Sequence, residues 1–450
     1  MTTPTPSGTE YTVAPKKYQL LNPSLFLIIT LNFCGLLSAF FYLQIHLLGD
    51  LRQQIPEYVF YFLVVSILYI ISCALAQKNS AKKSIPIILA FAGLFRLILL
   101  FDAPTLSDDI YRYAWEGYLQ TKGVNPYRFP PNAEELSPYR NSLWERVNNK
   151  DASAIYPPLS EMLNAATIFL FKSIWGFKAI FVVMDGLVIF ALLKLLSIHA
   201  RNPANIIFYA WNPLIVVEFA GSAHHDVLVV ALFLWATLFC LIHRERLSVL
   251  FLAGSILTKF YPLFTVPFFT RKISKRSLAW LPLFLFIGYL PYLTAGHHLF
   301  SALLYYREKW RFNGFLFQFL SKHFFTESTV ERILSLLILA AIWLSFKKTH
   351  DLMKQAYWIT GTLLLCVPNL FPWYLTWIVP FFCFFPNPAW ILLTLTSPIS
   401  YYVLIEYWTL GVWRQNQFFM NLEYIPFYIL LVGTFVWGRL NCEGGKDAIS

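Results

Sequence analysis

Long apolar runs constrain this chain before any motif does. A helix needs about 20 apolar residues to cross about 30 Å of hydrocarbon. Runs near that length recur at about 25–48, 57–76, 85–101, 178–197, 203–220, 226–242, 248–270, 277–293, 332–346, 356–386, 389–405 and 423–438. Hydrocarbon offers no water to pair with backbone amides, so each run must satisfy its own hydrogen bonds as a helix. The expected fold class is all-α, a polytopic transmembrane helical bundle with about 11–14 membrane segments, some broken or re-entrant. Composition agrees: 13% of the residues are charged, against about 25% in soluble domains. The net charge of +11 would suggest nucleic acid in a soluble protein, but here its placement argues for topology and for no nucleic-acid partner.

Basic residues cluster in short loops: Lys78, Lys82 and Lys83; Arg244 and Arg246; Arg271, Lys272, Lys275 and Arg276; Lys347, Lys348 and Lys354. The positive-inside rule puts these in the cytoplasm, together with an N-terminal tail 1–24 and a C-terminal tail 439–450. The N-terminal tail carries Lys16 and Lys17 and lacks the short apolar core and small-residue cleavage site of a removable signal peptide. A single domain, 25–438, then has a first external loop at 102–158 and a second at 294–331. The first loop holds eight acids against six bases, a net charge of −2. The run 248–270 has basic residues at both ends, so it is expected to enter and return as a hairpin broken at Thr258-Lys259-Phe260-Tyr261-Pro262. The run 356–386 has a similar break at Pro368-Asn369-Leu370-Phe371-Pro372, and 159–174 is expected to dip in without crossing. Six cysteines stand singly without metal or redox spacing and read as small core hydrophobes.

Ionisable groups at membrane depth or at its edge need a reason to be there. Ser107 is placed to cap a helix whose first turn holds Asp108 and Asp109, with Asp108–Arg112 and Arg112–Glu116 at i,i+4. Glu218, His224, His225 and Asp226 gather near the same edge, and Lys259 tops the hairpin with no acid near it in sequence. Arg307 and Arg311 alternate with aromatic residues in the second external loop. Asp185, in mid-span, reads as orienting a neighbour.

The strings SDDIYRYAWEG (107–117), GVNPYR (123–128), LWERVNN (143–149) and IYPPL (155–159) resemble the first external loop of the GT-C membrane glycosyltransferases that use polyprenyl-phosphate sugars. The nearest likeness is to the bacterial polyprenol-phosphomannose-dependent α-mannosyltransferases, and the catalytic subunit of the GPI-anchor α-1,4-mannosyltransferase is more distantly similar. Trp211-Asn212-Pro213-Leu214, Gly221 to Asp226, Lys259 to Pro262 and Pro372-Trp373-Tyr374 follow in the family's order, so the likeness spans about 85–385. Some relatives carry Asp-x-Asp where this chain has an adjacent pair, which leaves open which carboxylate does the chemistry.

The resemblance implies transfer of a hexose, mannose by preference, from a polyprenyl-phosphate donor to an extracytoplasmic glycan or lipid acceptor by one inverting displacement. The enzyme is expected in a bacterial inner membrane among its lipids, with the site on the periplasmic face. Asp108 is expected as the base, with Asp109 orienting the acceptor or a divalent cation; a cation held by this pair is compatible with the set but not demanded. The expected substrate-binding set is Arg112, Glu116, Tyr156, Glu218, His224, His225, Asp226, Lys259, Tyr261, Arg307, Arg311, Trp373 and Tyr374. Lys259, Arg307 and Arg311 are the candidates for the phosphate. A lipid or solute transporter or flippase is the rival reading, since broken helices and intramembrane charges also line transport sites. A structural subunit of an envelope complex is a third, and it would tolerate changes at Asp108 and Asp109.

Overall fold

The computed structural model describes residues 23–78 and 81–444. Most of the two expected tails, 1–22 and 445–450, lies outside the described residues. Among the described residues no β-strand occurs and 78% are helical. The principal helices are α1 (Pro23–Leu47), α2 (Ile55–Gln77), α3 (Ala81–Leu100), α4 (Asp109–Thr121), α5 (Pro158–Phe171), α6 (Ile174–Ile198), α7 (Asp226–Leu241), α8 (Glu245–Ile256), α9 (Trp280–Tyr289), α10 (Ser301–Lys309), α11 (Phe315–His323), α12 (Glu327–Lys348), α13 (Leu352–Cys366), α14 (Pro388–Thr396), α15 (Val403–Leu410) and α16 (Gln417–Gly444).

Among the described residues, eight helical segments are long and apolar enough to cross a membrane. A ninth is gained if Pro203–Ala210 and Pro213–Gly221, bent by 55°, count as one broken span. The other apolar runs behind the expected 11–14 segments fold as shorter helices such as α5 and α7. Helix α1 shows why this chain needs lipid: Leu27, Leu31, Cys34 and Ile45 are buried, whereas Phe26, Ile29, Phe33, Leu36 and Phe40 stand exposed. A helix that is apolar all round, with one stripe packed on protein, leaves the other for hydrocarbon.

The centre of the molecule is the stretch from Ala204 to Cys240, almost all of it buried. Arg96 of α3 and Asp185 of α6 pair within it, and Asp185 also accepts from Tyr209 Oη at 2.6 Å while Arg96 donates to Ala210 O at 2.8 Å. Two charges bound to each other and to backbone can remain in such an interior. Asp185 therefore orients Arg96 and Tyr209. The 248–270 run ends its first helix at Ile256 and resumes at Tyr261 in a 3₁₀ turn, with Lys259 in the break. Its two ends meet, because Ser274 donates through both its N–H and its hydroxyl to Glu245. The 356–386 run breaks between Cys366 and Pro372. Cys34, Cys73, Cys240, Cys366 and Cys383 are buried free thiols.

Candidate active site

The segment between the bent pair and α7 is irregular where the polar residues lie. Val216–Gly221 forms a π-turn, and Ala223 then adopts a left-handed conformation at φ 59°. A π-turn widens the helix by one residue, and a left-handed alanine persists only where its surroundings hold it. The result splits the two histidines. His224 stacks on Trp373 at 4.1 Å, whereas His225 stacks on Tyr113 at 3.6 Å and bonds through Nε2 to Asn164 Oδ1 at 2.9 Å.

Asp109 lies opposite His224, with Oδ2 3.9 Å from Nδ1, and His224 Nε2 is 3.4 Å from Glu218 Oε2. Asn148 donates to Asp109 Oδ1 at 2.8 Å. Asn148 is itself set by Arg112, which donates to its Oδ1 and to the carbonyls of Asn148, Asn149 and Ala152, and also pairs with Glu116 at 2.9 Å. Burial pushes the Asp109 carboxyl above the usual carboxylate range, and the Asn148 amide with the charges of Arg112 and Lys259 pulls it part of the way back.

Lys259 reaches across to Asp226, the first residue of α7, at 2.7 Å. Trp377 Nε1 donates to the same carboxylate oxygen. The rings of Tyr374, Trp377 and Tyr156 lie 4.8, 5.3 and 5.5 Å from the ammonium, and Tyr261 stacks on Trp377 at 4.1 Å. Glu218 accepts from Tyr401 at 2.8 Å through its other oxygen. Glu218 Oε2, Asp226 Oδ2 and both ring nitrogens of His224 are buried without a hydrogen-bond partner.

The structure thus brings together Asp109, Glu218, His224, Asp226, Lys259, Tyr156, Tyr261, Trp373 and Tyr374. Arg112 and Glu116 stand one step behind, as the frame for Asn148, and His225 sits on Tyr113. Asp108 turns elsewhere: it is the cap residue of α4 but makes no side-chain cap bond, and instead faces Arg52 at 3.5 Å. Ser107 Oγ accepts from Asp109 N at 3.3 Å, so the expected Asp108–Arg112 pair gives way to Asp108–Arg52. Arg307 and Arg311 pair with Glu331 and Glu327 on α12 rather than with the cluster around Lys259.

No three His, Cys, Asp or Glu side chains converge as metal ligands among the described residues. Asp108 faces Arg52 and Asp109 faces Asn148. Sequence reasoning missed Trp377, Tyr401 and the role of Asn148. In the folded chain Trp377 eclipses Tyr374 on the 3₁₀ turn Pro372–Trp377.

A family model described as the MptA_B family, α-(1→6)-mannopyranosyltransferase, N-terminal domain, matches residues 44–274, about half of the chain. The match takes in Asp109, His224, Asp226 and Lys259, whereas Trp373, Tyr374 and Trp377 lie beyond it. No curated protein matches the chain.

Proposed function

The chain belongs to the MptA_B family of α-(1→6)-mannopyranosyltransferases, and from that premise we propose that it moves mannose from a polyprenyl-phosphate donor to an extracytoplasmic glycan or lipid hydroxyl. It is a membrane mannosyltransferase with a sugar donor and a glycan acceptor as its partners. The observation that carries the finer reading is the set of buried polar atoms on Glu218, His224 and Asp226 that face one another or Asp109 and Lys259 without a hydrogen bond of their own. Leaving buried polar atoms unpaired is costly, and clusters of them call for a ligand rich in donors and acceptors. A sugar ring supplies hydroxyls for those atoms and an apolar face for Trp373 or Tyr374.

In this reading Asp109, rather than Asp108, is the base. Its carboxylate takes the acceptor proton as that oxygen attacks the anomeric carbon. The bond from that carbon to the phosphate oxygen breaks with inversion, and the phosphate leaves with the electron pair. Lys259 stabilises the charge that develops there. Asp226 and the three rings hold the ammonium in place, and Asn148 aims Asp109. The raised pKa of Asp109 suits a base, because proton transfer is most effective when the pKa approaches the working pH. A lipid-borne donor fits a site at the membrane edge, and the basic loops support a periplasmic face in a bacterial inner membrane.

The test is transfer by the purified protein from a synthetic polyprenyl-phosphomannose to a glycan acceptor, with and without EDTA. Wild type is expected to transfer. Asp109→Asn is expected to lose about 10²- to 10⁴-fold in rate, with Asp108→Asn losing far less. No transfer from any polyprenyl-phosphate sugar would sink the reading in favour of a transporter, and equal losses at the two aspartates would sink the choice of base.

A further inference from the structure

Asn313 takes no part in the mechanism above, yet every polar group it has is spoken for. Its N–H donates to Gln415 Oε1 at 3.0 Å, and its carbonyl accepts from Tyr424 Oη at 2.8 Å. Its side-chain oxygen accepts from Gln415 Nε2 at 3.0 Å, and its amide donates to Glu423 Oε2, also at 3.0 Å. Asn313 and Glu423 are both buried, and the asparagine holds a left-handed backbone at φ 54°. All three partners come from the segment 415–424, far along the chain and outside the family match. A conformation determined this heavily by distant residues marks a place where exact placement matters.

What this knot places is the segment 368–374. Phe312 N donates to Pro368 O at 3.2 Å and Leu370 N to Phe312 O at 2.8 Å. Gly314 presses so close that a Cβ there would stand 2.5 Å from the Pro368 carbonyl oxygen. From Phe312 a stack of rings runs inward: onto Phe371 at 4.7 Å, from Phe371 to Trp373 at 4.5 Å, and from Trp373 to His224 at 4.1 Å.

We propose that Asn313, held by Gln415, Glu423 and Tyr424, is a positioning residue that sets the Phe371–Trp373 stack and through it the His224 ring. The C-terminal part of the chain thereby controls the geometry of a site whose carboxylates, histidine and lysine come from the matched N-terminal part. The proposal rests on the mannosyl-transfer reading for its activity readout.

The experiment is a double-mutant cycle in the full-length protein, with Asn313→Ala, Trp373→Ala and the double variant. Asn313→Gly, which keeps the left-handed backbone free of strain, stands in if the alanine variant does not fold. Asn313→Ala is expected to lower kcat by about 10- to 100-fold, since a small misplacement far from the chemistry has effects of that size. The double variant is expected to be no slower than Trp373→Ala within about twofold, because both changes break one chain of contacts. Losses that multiply would overturn the proposal and assign Asn313 a general structural role. If wild type transfers no sugar, the functional reading fails separately, and the same cycle is read in Tm: non-additive losses sustain the coupling and additive ones overturn it.

Discussion

Lys259 and Arg307 are both cations beside aromatic residues, both are paired with a carboxylate, and the sequence offers both as candidates for the phosphate. The fold separates them completely. The Lys259 side chain is 10% exposed and its partner Asp226 fully buried, whereas the Arg307 side chain is 67% exposed and its partner Glu331 26%. Lys259 has three rings around it, while Arg307 bridges α10 to α12. A buried charge pair is energetically committed, because removing one member strands the other in a medium that solvates it poorly. An exposed pair is screened by solvent and contributes little. The same two kinds of group can therefore form a buried, committed pair in one place and a surface clasp in the other.

The sharpest way to break that contrast is at the buried end. Lys259→Met is expected to destabilise the protein by about 3–5 kcal/mol, because Asp226 is left buried and unpaired. Its transfer rate is expected to fall by about 10²- to 10³-fold, as when one donor to a developing charge is removed. Adding Asp226→Leu is expected to restore most of the Tm while activity stays lost. If activity returned with stability, Lys259 would be a structural clamp like Arg307, and the contrast would collapse.

Asn148→Ala comes next. It removes one hydrogen bond to a carboxylate, for which a loss of about 10- to 100-fold in rate is expected. The pH profile carries more information than the rate. Asp109 must be ionised to act as base, so activity falls as pH drops through its already raised pKa. The Asn148 bond favours the ionised form, so its loss raises that pKa further, and the acid limb should move to higher pH. A limb that stays in place would mean that Asp109 is not the titrating base.

Most of the candidate cluster was legible in the sequence because its members lie in short motifs: Asp109, Gly221 to Asp226, Lys259 in a broken helix, and Trp373-Tyr374. Which of the two aspartates faces the cluster was not legible. Successive residues at a helix start point about 100° apart, and here the choice is made by Asn148, 39 residues on from Asp109, and by Arg52, 56 residues before Asp108. The helical class and both breaks followed from apolar runs and prolines, because those are local constraints. The partner of Arg307 lies 24 residues away across a turn, and a basic residue between aromatics carries no record of such an acid. Trp377 and Tyr401 were hidden for a related reason: in an aromatic-rich chain, a ring that bonds a carboxylate looks like a ring that packs.

The smallest expected effect lies at the exposed end, and it tests the contrast most directly. Arg307→Ala is expected to leave the transfer rate within about a factor of two, since an exposed pair contributes little. Arg311, with Glu327 and Glu331 both in reach and 23% of its side chain exposed, should behave the same way, and raising the ionic strength should shrink any residual effect of either change. Glu331→Gln separates the two possible roles of these arginines. If they only clasp α10 to α12, freeing them from Glu331 does nothing for transfer. If one of them grips the donor phosphate during turnover, Glu331 competes for it, and Glu331→Gln should lower the donor KM. A KM that falls with Glu331→Gln and rises with Arg307→Ala would move the phosphate ligand from the buried lysine to the surface arginine and reverse the ranking that burial assigns.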